Sequence, residues 1–273
     1  MIEKAEKFLN LYVILIVNLL IIAAAELIGN GRYFYDTGLI HLIGAFFAAL
    51  VIYRIFTRYH LQDQFFKKFM RFSLTAFSVL AVAHILEFLW IRFLPLGQEI
   101  IETAVIGFYL TCFFFLAIGL EFILRVARQK SEVNLHLPTI ILFLVIIFSI
   151  FFMAFGAPLL GEKIKAFLYV YLFWLVMLGI FIIIKSLELK RVLPLMSGFI
   201  NYLILGIVFI IMAGWLEFFE LFKPLFVDEI QITYLAHFTV YFALSFIFLG
   251  FGKLLNLGGI YEEVKKEIEK GNL

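Results

Sequence analysis

The chain has 273 residues, 64% of them hydrophobic and only 15% charged, with a mean hydropathy of +1.08. A water-soluble domain of this size needs more polar surface to cover its core, so the composition excludes one and points to a protein that crosses the bilayer several times. The formal net charge of +2 is too small to suggest nucleic acid, and a single cysteine, Cys112, excludes a disulfide framework or a cysteine-based metal site.

A helix needs roughly 20 predominantly apolar residues to cross the hydrocarbon. Eight such stretches occur, at about 7–28, 37–57, 70–93, 100–125, 138–157, 164–186, 195–221 and 230–252. The first follows the mixed-charge start "MIEKAEKFLN" and has no small-residue cleavage site behind it, so it reads as a retained span. "GNGRYFYD", "RYHLQDQ", "LPLGQE" and "RQKSEVNLHLP" break the chain after the first four stretches. "APLLGEK", "LELKRVLP" and "FKPLFVDE" break it after the next three. The apolar runs are continuous and do not alternate, which argues for helices and against strands. The end of the chain, "YEEVKKEIEKGNL", is charged on nearly every turn and reads as a short solvated helix.

Basic residues set the expected direction. Alternate ends of the eight stretches hold all the lysines and arginines except Arg32, Arg92, Lys163, Lys165 and Lys223. The rich side is cytoplasmic by the positive-inside rule, which puts both termini inside a multi-pass protein of the cell membrane.

Sliding the chain by 130 residues aligns the two halves span for span. Apolar matches are cheap in this composition. The informative ones run from the third stretch into the fourth: Ala83, Leu86, Glu87 and Phe88 fall on Ala213, Leu216, Glu217 and Phe218. Glu99, Ile100, Thr103 and Phe108 fall on Glu229, Ile230, Thr233 and Phe238, and Gly31 falls on Gly161. A Pro-Leu pair lies in both connecting loops. The expected architecture is therefore an all-α polytopic membrane protein of eight transmembrane helices in two parallel, tandem four-helix repeats. The repeats are 1–130 and 131–256, followed by a charged cytoplasmic helix at 257–273. Four helices is an even number, so both copies enter from the same side and the repeat axis lies along the membrane normal. Glu87 and Glu217 then sit in equivalent helices and can face one another across it.

The ionisable residues of the apolar stretches gather in the outer half. Glu26 ends the first, His41 opens the second, Glu102 opens the fourth, and His237 lies within two turns of the start of the last. His84 and Glu87, like Glu217 and Glu220, are three residues apart and share a helix face. Ionisable groups inside the membrane are costly, up to about 2.5–3.5 kcal/mol for the worst cases at a helix centre, and persist when paired, solvated or protonated. The pattern points to a cation or proton site of Glu87, Glu217, Glu220, Glu26 and Glu102. It points equally to a divalent-metal site of His84, His237 and His41 with Glu87 and Glu217. The bland alternative is a set of structural groups hydrogen-bonded between helices.

The function these residues suggest first is transport or conduction of a small cation, a divalent metal or a proton. Few polar residues occupy the inner half, and that favours a second reading: a membrane sensor or complex subunit that binds a metal or partner. A b-type cytochrome comes third, because His41 and His84 on adjacent spans can in principle ligate one haem. Arg58, Lys67, Lys68 and Arg71 form the densest basic run, which topology and contact with anionic lipid explain. Membrane lipids are the expected partners, with a homo-oligomer or a larger complex also open. No Walker A loop, HExxH, G-x-S-x-G, Asp-rich motif, histidine box or arginine ladder is present, so no catalytic residue is nominated.

Overall fold

The computed structural model describes residues 11–27, 37–59, 62, 64–93, 98–127, 164–221 and 229–254. Among them every regular element is helical. The helices are α1 (Leu11–Leu27), α2 (Leu39–Tyr59), α3 (Gln64–Phe93), α4 (Gln98–Ala127), α5 (Ile164–Val192), α6 (Ser197–Leu221) and α7 (Glu229–Lys253). A 3-10 turn, Pro194–Met196, joins α5 to α6. Five of the seven hold segments long and apolar enough to cross a membrane: Leu39–Tyr59, Phe66–Leu89, Gly107–Ala127, Pro194–Leu216 and Leu235–Lys253. The expected span at 138–157 and the charged tail at 257–273 lie outside the described residues.

Two helices run well past their apolar stretches. α3 starts at Gln64, not near 70, and α5 continues to Val192, not 186. Gln, Lys, Glu and Arg are good helix formers, so the helix persists beyond the apolar run until a breaker stops it. For α5 that breaker is Pro194, whose ring pushes Leu193 out of the helical region, to φ −127° and ψ 78°.

Six helices form a ring. α2 packs on α3, then each helix on the next in chain order, and α7 closes back on α2. α1 lies outside the ring against α7, where the Asn18 amide donates to Ser245 Oγ at 2.9 Å. Directions follow from the contacts. Gly44 meets His84 while Tyr59 meets Arg71, so α2 and α3 are antiparallel. α3/α4, α5/α6 and α6/α7 are antiparallel too. The two remaining joints run parallel. Across α2/α7, His41 meets His237, Phe47 stacks on Tyr241 and Arg54 lies over Phe248. Across α4/α5, Phe113 faces Gly179 and Glu121 pairs with Lys185. Since α4 and α5 are parallel neighbours, α4 ends at one end of the ring and α5 begins at the other.

The ring interior is filled. Phe69 of α3 reaches Phe199 of α6 on the opposite side, with ring centroids 5.8 Å apart. Phe251 of α7 packs on Phe69, Phe77 and Phe199 at 5.1–6.2 Å. All four are essentially inaccessible. The outer face is apolar as well: Phe46, Phe56, Ile85, Leu89, Trp174, Ile184, Leu205 and Trp215 are all exposed. An apolar exterior around an apolar interior is what lipid contact selects. Arg54, Arg58, Lys68, Arg71, Lys185 and Lys190 gather at one end of the ring.

Candidate metal centre

The opposite end holds a cluster of imidazoles and one carboxylate. Its first member is placed by the entry into α2. Gly38 takes a left-handed φ of +71°, and its carbonyl accepts from the His41 amide at 3.0 Å. A side chain there would be strained, and a Cβ would also press on Phe88 of α3 at 3.1 Å. His41 therefore sits in the first turn of α2, turned inward and 4% exposed.

His84 and Glu87 are one turn apart on α3, on the face that meets α2. Both imidazoles turn Nδ1 to the same carboxylate oxygen. His41 Nδ1 lies 2.9 Å from Glu87 Oε2 and His84 Nδ1 lies 3.0 Å from it. One donor atom from each residue lies within 4.8 Å of the others, so the three together can hold a metal ion. His84 is wholly buried, and the Glu87 side chain is 13% exposed.

Two further side chains extend the cluster around the ring. The His237 ring of α7 meets the His41 ring edge-on, centroids 4.8 Å apart. The Tyr109 hydroxyl of α4 lies 3.2 Å from His84 Nε2. Four consecutive ring members, α7, α2, α3 and α4, thereby contribute to one centre. Gly44 makes room for it. A Cβ there would stand 2.9 Å from both Cε1 and Nε2 of His84, inside van der Waals contact.

The donors define the chemistry. Two imidazoles and a carboxylate suit zinc, iron, nickel or copper, whereas calcium and magnesium take all-oxygen sets. Metal–ligand bonds of about 2.0–2.1 Å at tetrahedral angles place neighbouring donors roughly 3.3 Å apart. The two nitrogen-to-oxygen separations, 2.9 and 3.0 Å, need widen by only a few tenths of an ångström, and the widest spacing among the three donors, within 4.8 Å, closes toward the same value when an ion seats. A haem does not fit: both rings close on one carboxylate oxygen and the α2 backbone at Gly44 lies against His84, leaving no slot for a porphyrin.

Of the residues singled out in the sequence, His41, His84 and Glu87 come together, with His237 beside them. Glu26, Glu102, Glu217 and Glu220 fall on helix backbone of α1, α4 and α6, and their side chains lie outside the described residues. Sequence reasoning missed Tyr109 and Gly44. A tyrosine and a glycine in such a chain carry no distinguishing signal until the helices that bear them are neighbours. No protein-family model matches the chain, and neither does any curated protein or solved structure.

Proposed function

We propose that this chain is a multi-pass membrane protein that binds a divalent transition-metal ion at the His41–His84–Glu87 centre, with His237 as a further ligand. The observation that carries the reading is the convergence of two imidazole nitrogens from two helices on one buried carboxylate oxygen. Two imidazole nitrogens and a carboxylate oxygen within 4.8 Å of one another supply three ligand atoms of the kinds a transition metal takes. Metal analysis and a Co2+ titration of the purified protein test it. The expected result is one ion per chain with a visible ligand-field spectrum, and loss of binding in His84→Ala and Glu87→Gln. Protein that binds no divalent ion overturns the reading.

Between the two uses of such a centre, we favour holding the ion over passing it. The aromatic group of Phe69, Phe77, Phe199 and Phe251 fills the ring between the centre and the basic end. That supports a sensor or a subunit of a larger complex. Transport stands second, since it requires this packing to open. In this reading the basic end is cytoplasmic and the centre faces outward.

The tandem repeat belongs to the same proposal. Several observations support it. The two parallel joints of the ring, α7/α2 and α4/α5, exchange under a shift of 130 residues. Phe69 and Phe199, which touch across the interior, are themselves related by that shift. Buried positions recur with it: Phe66/Met196, Met70/Ile200, Phe77/Ile207, Leu80/Ile210 and Ala83/Ala213. The same shift relates Glu217 to Glu87, and in sequence it puts Tyr171 in the place of His41 and Gly214 in the place of His84. The second copy thus lacks the two histidines that accompany Glu87 in the first.

A further inference from the structure

We infer that Tyr109 is the positioning residue of the metal centre, whose hydroxyl lets His84 exchange one tautomer for the other when an ion enters. The inference rests on the metal reading above. A neutral imidazole carries one N–H and one lone pair. Without an ion, His84 Nδ1–H donates to Glu87 Oε2 at 3.0 Å, so Nε2 is the lone pair and accepts from the Tyr109 hydroxyl at 3.2 Å. An ion seated among Glu87 and the two histidines takes the Nδ1 lone pair. The proton must leave Nδ1, and one must arrive at Nε2, for the ring to remain neutral; Glu87 Oε2 and the Tyr109 hydroxyl, its partners on either side, relay the first out to bulk water and the second in from it. Nε2–H then points at Tyr109, whose oxygen now accepts.

A hydroxyl suits this place because it both donates and accepts. A carbonyl or carboxylate accepts only, and would hold His84 in the metal-loaded tautomer. An ammonium donates only, and would hold it in the empty one. Both ring nitrogens of His84 are engaged within a side chain that is 0% exposed, so no water is at hand to replace the hydroxyl. Partners of this kind orient metal-ligating histidines, and losing one costs about 10–100-fold in affinity. Tyr109 arises from α4, which contributes no ligand of the described group. It ties a third helix to the state of the ion.

The test is a Co2+ titration of wild-type protein and Tyr109→Phe in detergent, each checked for folding by size exclusion and helical circular dichroism. It is joined to nitrogen-15 spectra of histidine-labelled wild type with and without Zn2+, with the His84 signal assigned by its loss in His84→Gln. The expected results are about 10–100-fold weaker Co2+ binding by Tyr109→Phe with the ligand-field band retained, and a His84 proton that moves from Nδ1 to Nε2 when Zn2+ is added. Unchanged affinity in Tyr109→Phe, or a His84 that keeps its Nδ1 proton in the presence of Zn2+, overturns the role of Tyr109 alone. Wild type that binds neither ion overturns the metal reading and this inference with it. The wild-type spectra need no variant, so a misfolded Tyr109→Phe leaves the inference open to refutation.

Discussion

At the scale of single residues, the centre depends on the absence of a side chain as much as on the groups present. Gly44 lies against the His84 ring, and a methyl there would approach two ring atoms to 2.9 Å. The ring cannot yield freely, because Glu87 and Tyr109 hold it from both nitrogens. Gly44→Ala is therefore expected to lower metal affinity by about 10-fold or more, with the fold retained at a cost of about 1–3 kcal/mol. Calorimetric titration alongside thermal unfolding measures both. Affinity equal to wild type would show that His84 is not where the ion binds. Glu87 is the other decisive residue. Its oxygen collects both imidazoles, so substitution by the isosteric amide removes the charge while keeping the shape.

At the scale of elements, the parallel α2/α7 joint does most to connect the centre with the rest of the ring. It is held at three levels. His41 meets His237 near the centre, the Tyr241 hydroxyl donates to the Ile40 carbonyl in the same region, and Arg58 donates to the Gly252 carbonyl at 3.3 Å at the basic end. The Ile40 carbonyl belongs to the first turn of α2, next to His41, so the Tyr241 bond steadies the backbone that presents a ligand. Hydrogen bonds between membrane helices average about 0.6 kcal/mol and reach about 1.7 kcal/mol. Tyr241→Phe is expected to destabilise the fold by an amount in that range and to weaken metal binding by a few-fold at most. Unfolding in detergent and a Zn2+ titration check the two effects. The α4/α5 joint is fixed differently, by Glu121 with Arg125 at 2.6 Å and Lys185 at 3.3 Å. One parallel joint thus adds His237 beside the candidate centre, and the other carries an ion-pair network at the basic end.

At the scale of the whole molecule, the question is whether the ring conducts. Its interior is occupied across the full width at the level of Phe69 and Phe199, and a cation entering that packing would lose its water with nothing in return. Proteoliposomes loaded with a metal-sensitive dye are therefore expected to show no Zn2+ or Co2+ uptake above empty vesicles, although the purified protein binds the ion. Uptake that Glu87→Gln abolishes would establish the transport reading instead. The surface has the opposite problem. Large apolar residues such as Phe46, Phe56 and Trp174 are exposed on the outside of the ring, and only lipid or a partner can cover them.

Much of this was legible in the residues themselves. Continuous apolar runs that avoid alternation mark helices apolar enough to cross a bilayer, because a lone helix satisfies its own backbone in hydrocarbon and a lone strand does not. The spacing of His84 and Glu87 put both on one face, since three residues are close to one helical turn. Matching segments around Glu87 and Glu217 suggested a tandem repeat, which belongs to the proposal above. Sequence alone did not say which helices are neighbours, and that decides the centre. His41, His84, Tyr109 and His237 lie on four helices, and only the closure of α7 onto α2 brings the last of them to the first. Apolar faces that meet lipid and apolar faces that meet protein are chemically alike, so composition cannot order the ring. Individual hydrophobicity determined which helices are long and apolar enough to cross a membrane; packing complementarity, such as Gly44 against the His84 ring, decided what those helices bring together.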